Sequence, residues 1–431
     1  MRDLAARLRS IVKQDAERAN PSASVPIREL TYVPDVDGGR DVERTAADLG
    51  GAVHCTSHGT CVKIDRVWSA DERHGRKAMA ECVIDDAAPI ALFDPRLASH
   101  SSWANRVVFF DIETTGLSGG AGTLAFLAGC GWFEGEDFRV RQFFLSGPAD
   151  ERPMLDALAE IFAGASLLVT YNGRAFDVPV MEMRWAFHRL APPTDDLPHF
   201  DMLAPARRLW GEGDCTLSAL ERSLAGVHRL GDVPGFEIPT RYFQFLRTGD
   251  AGAVEGVLAH NRHDLASLAV ITSHALGLAR GGPDACQSAE EQLGLARLYE
   301  RADDEHRAAR AYELASSADD RGIRRQALAG LAVLRRRAHR YDEAAAAWQD
   351  VLALSAPHES TPLGRRAAEA LAIHHEHRAR DLETARRYAE ALGASASGRA
   401  AEEARHRLGR LNRKMANRAK RDGAGLLTPE V

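Results

Sequence analysis

The chain has 431 residues, 45% hydrophobic and 27% charged, so it is long enough for two or three domains and too apolar to be wholly disordered. Its formal net charge of −6 argues against a protein that coats nucleic acid through bulk charge, although a local basic groove is compatible with it. Six scattered cysteines do not indicate a secreted disulfide framework, and no apolar run reaches the roughly 18 residues of a membrane-spanning helix. We therefore expect a cytoplasmic protein without membrane contact.

Composition divides the chain into four segments. Residues 1–100 have mixed composition and predict no clear fold, whereas residues 101–282 alternate strand-like apolar runs with helical stretches. Residues 287–421 are rich in Ala, Arg, Glu and Leu and lack strand-like runs, and residues 422–431 form a tail. The Gly281–Pro283 sequence between the second and third segments is typical of a linker.

A small cluster of His and Cys residues lies in the first segment. Cys55, His58 and Cys61 follow each other at a spacing that could ligate zinc, but no clear second pair follows at zinc-finger distance. The alternative is a β-hairpin that turns at His58 and Gly59.

The second segment predicts an α/β domain. Its elements follow in the order β-β-β-α-β-α, which suggests a mixed sheet. The predicted strands are 107–110, 124–130, 140–145 and 167–171, and the predicted helices are 151–162 and 177–189.

Two carboxylates follow the first of these strands. Asp111 and Glu113 share one face because side chains alternate along a strand. Carboxylates so placed repel each other unless a cation lies between them, and their oxygens suit Mg²⁺ or Mn²⁺. Taken alone, the pair is equally compatible with a solvated strand end.

Two further segments carry acidic residues. Asp177 stands in the first turn of a predicted helix, where it could also serve only to complement the helix dipole. His260 and Asp264 are four residues apart and share one helix face, which a plain amphipathic helix would also explain. Asp201 could support the site from the next strand, or could cap the helix that begins near Leu203.

The third segment contains a repeat. Units begin at Leu295, Leu331 and Leu371, which are 36 and 40 residues apart, and each has an aromatic residue 17 positions after its leading Leu. Paired helices at this period are typical of tetratricopeptide-like repeats, which offer concave surfaces to protein partners. An Ala-rich helical bundle is the alternative. The basic stretch Arg405–Arg421 could follow a phosphate backbone or form a solvated helix face.

Three strings in this chain resemble a known enzyme family when they are taken together. FFDIETTG, YNGRAFD and HNRHD, between residues 109 and 264, resemble the motifs of the DEDD exonucleases, the DnaQ-like branch of the ribonuclease H-like superfamily. With its helical-repeat segment, the chain is more particularly similar to the YprB family of ribonuclease H-like proteins. The resemblance implies an α/β ribonuclease H-like mixed sheet flanked by helices, plus a C-terminal all-α helical-repeat domain.

The resemblance also implies a function. It indicates a nuclease that hydrolyses phosphodiester bonds of DNA or RNA as a 3′–5′ exonuclease, with two divalent cations, Mg²⁺ or Mn²⁺, in a two-metal-ion mechanism. The family has its general base as a His five residues before the last Asp or a Tyr four before it. Here Ala259 stands five residues before Asp264 and His260 four, so the chain has the histidine of one subclass at the spacing of the other, and we expect His260 to be the base. The implied metal ligands are Asp111, Glu113, Asp177 and Asp264, and the implied substrate contacts are Thr114, Thr115, Gly116, Leu117 and Asn172.

Two alternatives remain open. One is a structure-selective endonuclease, and the other is a catalytically weak or inactive scaffold that binds nucleic acid or protein through its helical repeats. The histidine at the tyrosine spacing favours the scaffold weakly, whereas the four intact carboxylates oppose it. Nothing in the motifs distinguishes DNA from RNA.

Overall fold

A mixed seven-stranded sheet positions most of the candidate residues. The computed structural model describes residues 41–98, 106–116, 122–211, 214–354, 361–395 and 398–424, all within the unit Arg40–Val431. The strands are β1 Ala52–Thr56, β2 Gly59–Trp68, β3 Arg73–His74, β4 Lys77–Ala78, β5 Arg106–Thr114, β6 Ala125–Glu134, β7 Asp137–Phe144, β8 Ala165–Thr170 and β9 His199–Asp201.

The sheet order is β1-β2-β7-β6-β5-β8-β9, and β3 pairs with β4 apart from it. Strands β5, β8 and β9 run parallel, and the remaining neighbours are antiparallel. This mixed sheet flanked by helices confirms the predicted ribonuclease H-like fold, and every predicted strand of the second segment is present. Strands β1 and β2 add to it from the segment before residue 101, for which the sequence predicted no fold.

Fifteen labels cover the α-helices of the described residues. They are α1 Val42–Asp48, α2 Ile90–Phe93, α3 Glu151–Ala163, α4 Asp177–Phe187, α5 Leu203–Trp210, α6 Leu217–Leu220, α7 Ile238–Thr248, α8 Gly252–Gly281, α9 Ala289–Arg301, α10 Glu305–Ala315, α11 Arg321–Arg337, α12 Tyr341–Ala353, α13 Pro362–His377, α14 Leu382–Ser395 and α15 Gly398–Ala424. In this part of the chain no helix combines the length and apolarity needed to cross a membrane.

Strand β5 is the centre of the domain because it is buried on both faces. Val108 and Phe110 belong to the core on one side, together with the apolar residues of α3 and α7. Phe109 belongs to the core on the other side, together with α5, α8 and α9. Burying each such side chain contributes roughly 1.5–3 kcal/mol, so the middle of the sheet is a rigid support for the residues at the end of β5.

Helix α8 approaches the sheet closely at Gly129. This residue lies on β6 directly opposite Asp111 in the β5–β6 register. A Cβ built at Gly129 would stand 2.2 Å from Oδ1 of Asn261 on α8. The absence of a side chain at position 129 therefore lets α8 reach the acidic end of β5.

The C-terminal region is helical, as predicted. Helices α9 and α10, α11 and α12, and α13 and α14 form three hairpins, whose turns hold Asp303, His339 and Arg380 at φ of 56°, 59° and 55°. Tyr312 and Trp348 are buried between the helices.

The basic stretch near the C-terminus packs onto these hairpins. It lies on α15, where Arg410 and Lys414 each place a nitrogen 2.8 Å from the buried carboxylate of Glu376 on α13. Arg407 lies 3.8 Å from the same carboxylate. These three cations are therefore engaged in holding α15, and they do not form an open phosphate track.

Candidate active site

Strand β5 presents two carboxylates on one face, as predicted. Asp111 and Glu113 lie inside the strand, which continues to Thr114. Ile112 between them is 5% exposed and belongs to the core on the opposite face. The Glu113 side chain is 13% exposed, so both carboxylates look into a largely buried space.

Asp177 reaches this space from the first residue of α4. Its Oδ1 accepts a hydrogen bond from the backbone N–H of Ile112 at 3.2 Å, which ties the start of α4 to β5. The chain enters α4 through a tight turn in which Asn172 has φ of 64°. Asn tolerates this left-handed conformation better than most residues, so the Asn172–Gly173 pair suits the turn.

Asp201 fixes that turn from the end of β9. Its carboxylate accepts hydrogen bonds from the N–H groups of Asn172 at 2.8 Å and Arg174 at 3.0 Å. It also accepts one from Leu203 at 3.0 Å, at the start of α5. Both interpretations of Asp201 are thus partly correct, because it supports the site indirectly and also binds the beginning of the next helix.

Helix α8 supplies the third part of the site. Nδ2 of Asn261 donates to Oδ2 of Asp111 at 2.8 Å. The Asn261 amide is itself oriented by Gln142, whose Nε2 donates to Oδ1 of Asn261 at 2.8 Å. This buried pair fixes Asp111 in one direction.

His260 lies between three carboxylates. Its Nδ1 is 2.8 Å from Oδ1 of Asp232, and its Nε2 is 3.5 Å from Oδ2 of Asp264 and 4.0 Å from Oε1 of Glu113. A carboxylate that accepts the Nδ1–H leaves Nε2 as the proton acceptor. Nε2 is also the nitrogen that faces the acidic cluster.

Arg229 enters the same cluster from the loop after α6. Its Nη2 lies 2.6 Å from Oδ1 of Asp264 and 2.6 Å from Oε2 of Glu221. The guanidinium is deeply placed, with only 8% of the side chain exposed. Ser267 donates to Glu221 and lies 2.7 Å from Nε2 of His74, which anchors this ion pair in the core.

The cluster holds more acidic groups than positive charges. Burial, followed by the charge of Asp264, raises the pKa of Asp111 and of Glu113 well above their usual values. Burial, with further repulsion from Asp201 and Asp264, raises the pKa of Asp177 to about 7. Arg229 alone therefore does not compensate the acidic groups gathered here.

The pKa values of two neighbouring residues, Asp232 and Arg229, shift in the direction that favours their charged forms. Although burial opposes it, the hydrogen bond from His260 lowers the pKa of Asp232. Burial likewise opposes the effect of Asp264 and Glu221, which together raise the pKa of Arg229. Both residues are thus held in their charged forms.

The donor chemistry of the cluster fits a divalent cation, because buried carboxylate oxygens in excess of cations are what Mg²⁺ and Mn²⁺ prefer. The present side-chain positions do not complete such a site. Over the described residues, no group of three or more His, Cys, Asp or Glu side chains is arranged so that it could hold a metal ion. The ion pair between Arg229 and Asp264 offers one physical reason, since it already engages one of the four expected ligands.

The expected substrate contacts are only partly described. Thr114 donates its hydroxyl to the carbonyl of Gly116 at 2.8 Å, and Thr115 accepts the N–H of Leu124 at 3.0 Å. Both hydroxyls are therefore engaged with backbone groups of described residues, Gly116 and Leu124. Asn172 is exposed beside the site, whereas Leu117 lies outside the described residues.

The zinc hypothesis in the first segment is wrong for the described structure, and the hairpin alternative is confirmed. Strands β1 and β2 pair so that Thr56 opposes Gly59 across the turn. Cys61 is buried, Cys55 is exposed, and Nδ1 of His58 lies 2.7 Å from Asp156. These side chains do not converge on a common point among the described residues.

Sequence reasoning missed four polar residues of the site. Three of them lie outside the three sequence strings: Asp232, Arg229 and Gln142. The fourth, Asn261, lies inside the HNRHD string beside His260. One signal was available for Asn261, which is the single amide inside the HNRHD string. The other three are isolated polar residues whose importance depends on tertiary contacts.

Comparisons with known proteins agree with the fold. Residues 108–276 match the family model described as the RNase_H superfamily. A stretch of 223 residues, 50% of this chain, is 34% identical to "Uncharacterized protein YprB" of Bacillus subtilis (strain 168). That match covers 52% of the relative, so the chain spans about half the length of the curated protein it matches. Together with the mixed sheet, the family match identifies a ribonuclease H-like domain within this chain.

Proposed function

We propose that this protein is a metal-dependent nuclease that hydrolyses phosphodiester bonds of DNA or RNA as a 3′–5′ exonuclease. The observation that carries the proposal is the gathering of Asp111, Glu113, Asp177 and Asp264 in one cluster, with more buried acid than the neighbouring cations balance. His260 lies beside two of them, Glu113 and Asp264. A cluster with perturbed pKa values in a largely buried space is typical of a functional site.

The four carboxylates would hold two divalent cations, Mg²⁺ or Mn²⁺. Such cations neutralise charge on the phosphate and make a bound water more acidic. The chain itself positions the ligands: Asn261 orients Asp111, and the N–H of Ile112 orients Asp177. For Asp264 to join them, Arg229 would have to share or release it.

His260 would act as the general base. Asp232 holds the ring through Nδ1, so Nε2 accepts the proton of the attacking water. The water oxygen bonds to phosphorus while the bond from phosphorus to the 3′ oxygen breaks, and the leaving oxygen takes a proton from solvent. The products are a nucleoside 5′-phosphate and a strand shortened by one residue.

The exonuclease polarity rests on the motif resemblance. The segment order and the position of Asn172 beside the acidic cluster are compatible with a strand end bound near the turn before α4. A structure-selective endonuclease would use the same carboxylates, so the two activities differ only in the substrate that they accept.

A second candidate function is a weakly active or inactive scaffold that binds a partner through its helical hairpins. The observation that favours it is the Arg229–Asp264 ion pair, which occupies an expected metal ligand. In that case the hairpins between Ala289 and Ser395, interpreted as tetratricopeptide-like repeats, would carry the function.

We further propose that the functional division follows the segments expected from composition. The nuclease would extend over 101–282 and the repeats over 287–421, with the 1–100 segment contributing β1 and β2 to the sheet. We also propose a cytoplasmic location, in keeping with the free cysteines among the described residues.

A cleavage assay tests the proposal. Purified protein is incubated with 5′-labelled single- and double-stranded DNA and RNA in the presence of Mn²⁺, Mg²⁺ or EDTA, beside Asp111→Asn. A metal-dependent ladder that shortens from the 3′ end, absent in the variant, supports the exonuclease and names its substrate. A blocked 3′ end that leaves cleavage intact supports the endonuclease, and no cleavage by the folded protein supports the scaffold.

A further inference from the structure

A basic cavity lies where the nuclease domain meets the first helical hairpin. It has a volume of about 590 Å³ and is walled by α5 on one side and by α9 and α11 on the other. Four arginines line it, and the acidic group among its lining residues is Glu290. The arginines are Arg207, Arg208, Arg297 and Arg301.

A second cavity adjoins this region and lies beside the turn before α4. It has a volume of about 430 Å³ and shares Arg207 with the first. Its wall also contains Tyr171 and Asn172, which lie in the turn that leads to Asp177. Arg207 therefore lines both the arginine-lined cavity and the cavity beside the turn that leads to Asp177, and Asp214 is the acidic residue in the wall of the second.

Three of the four arginines are available to an anion. Arg207, Arg297 and Arg301 are exposed, and none of them makes an ion pair within the described residues. Arg297 bonds only to the neutral amide of Gln326. Burial and the nearby charge of Arg301 lower the pKa of Arg208, which shows that the positive charges are close enough to repel each other.

The wall of this region is fixed. A Cβ at Gly294 on α9 would lie 2.3 Å from the carbonyl oxygen of Leu209 on α5, so the two helices are in backbone contact. Arg208 donates to the carbonyl of Phe93 at 2.8 Å, and Tyr171 donates its hydroxyl to the carbonyl of Cys215. The guanidinium groups and the aromatic ring are thus presented by a preorganised surface.

We propose that these two cavities form one groove that binds the phosphate backbone of a single nucleic-acid strand and leads its end to the acidic cluster. The inference rests on the proposed nuclease function and extends it to the path of the substrate. Arginines at intervals along a groove suit the repeated charge of a strand, and Tyr171 in the wall of the second cavity is an aromatic residue of the kind on which bases stack. An acidic peptide would satisfy the arginines but would not use Tyr171.

The test is binding without cleavage. A variant with Arg207→Gln, Arg297→Gln and Arg301→Gln is compared with wild type for a fluorescein-labelled oligothymidylate of about 20 nucleotides, in EDTA, by fluorescence anisotropy. We expect the Kd to rise about tenfold at moderate salt. The slope of log K against log salt should fall by about 2, because each lost phosphate contact on a single strand removes about 0.7 from it.

The matched control removes the same charge elsewhere. Arg310, Arg340 and Arg399 are exposed arginines paired with Asp284, Glu343 and Glu403, and changing each of them to Gln also removes three positive charges. The control should bind the strand as wild type does. Equal weakening of both variants, or wild-type affinity in the groove variant, overturns the groove.

Two further measurements separate the alternatives. Cleavage in Mn²⁺ of a labelled dinucleotide should fall less in the groove variant than cleavage of the 20-nucleotide strand, because the shorter substrate offers fewer phosphates to the arginines. A protein that binds the strand through the groove but cleaves no substrate contradicts the proposed nuclease and leaves the groove standing. Competition by polyglutamate as effective as by unlabelled strand indicates an acidic protein partner and overturns the nucleic-acid assignment.

Discussion

The guanidinium of Arg229 lies 2.6 Å from the carboxylate of Asp264, the acidic residue that the third sequence string predicted as a metal ligand. The same guanidinium nitrogen is 2.6 Å from Glu221, which is 2% exposed. Arg229 is thus the cation that the structure provides for this end of the cluster. Any divalent ion that engages Asp264 competes with an internal positive charge.

Replacing Arg229 should separate its contribution to stability, through Glu221, from its competition with a metal ion for Asp264. Arg229→Gln leaves Glu221 buried without its partner, so we expect the free energy of unfolding of the metal-free protein to fall by about 3 kcal/mol. The increase in melting temperature on adding Mn²⁺ should become larger, because nothing competes for Asp264. Differential scanning fluorimetry measures both, with Arg139→Gln at the sheet surface as the control. Identical Mn²⁺ shifts in the two variants would contradict competition.

Asp111→Asn tests the acidic cluster itself. The substitution keeps the shape and the contact with Asn261 but removes one of several buried like charges. Cleavage should fall by about a thousandfold or more, while the melting temperature of the metal-free protein at neutral pH rises. Asp65→Asn, at an exposed ion pair with Arg141, is the control that should leave activity unchanged. Retained cleavage in Asp111→Asn would rule out its role as a metal ligand.

His260 and Asp232 should act as a pair. His260→Gln removes the proposed base and is expected to lower kcat by about 10²–10⁴-fold. Asp232→Asn should lower kcat less, because the ring remains but loses the acceptor that holds its Nδ1–H. The measurement is the pH profile of kcat, in which the fall of kcat on the acidic side should disappear in His260→Gln and shift in Asp232→Asn. His228→Gln, at an exposed position, should reproduce the wild-type profile, and a wild-type profile in His260→Gln would exclude this residue as the base.

Gly129→Ala should disturb the site without touching a carboxylate. The added Cβ meets Oδ1 of Asn261 and must displace it, which releases Asp111 from its hydrogen bond. We expect a loss of stability of about 1–3 kcal/mol together with a fall in cleavage of at least about tenfold. Gly277→Ala, on α8 where an added Cβ has nothing within 4 Å, is the control for a glycine substitution that meets no neighbour. Full activity in Gly129→Ala would show that the orientation of Asp111 does not depend on Asn261.

Glu376 gives a prediction about pH and the C-terminal helix. Hydrogen bonds from Arg410 and Lys414 outweigh burial and lower the pKa of Glu376 to about 2. The native state therefore binds fewer protons than the unfolded state, so this stabilisation is complete above the ordinary glutamate pKa and is lost as pH falls toward about 2. Glu376→Gln should cost on the order of 2 kcal/mol at pH 7 and little at low pH. Urea titrations at several pH values test this, and a cost that does not depend on pH would contradict it.

The sequence predicted the parts of this structure that depend on local pattern. Apolar runs predicted β5, β6, β7 and β8. The alternation of side chains along a strand predicted that Asp111 and Glu113 share one face. That His260 and Asp264 share one helix face likewise followed from the helical period alone.

Long-range contacts account for what was missed. Strands β1 and β2 follow a segment without a clear period, and they join the sheet through β7, which lies far along the chain. Arg229 and Asp232 stand in a loop, where nothing local distinguishes a buried ion pair from surface charge. The hairpin at residues 52–68 was open to two interpretations because the zinc and turn patterns share the same residues.

The backbone contact between Gly294 and Leu209 also bears on the length of strand that the groove would hold. Because the first helical hairpin cannot swing away from α5 without breaking that contact, the arginines of the groove stay at a constant separation from the acidic cluster. The protein would then act as a molecular ruler. For the nuclease and groove proposed above, strands long enough to reach Arg301 are expected to be degraded processively, and each to be released at a similar residual length once its far end has passed the last arginine.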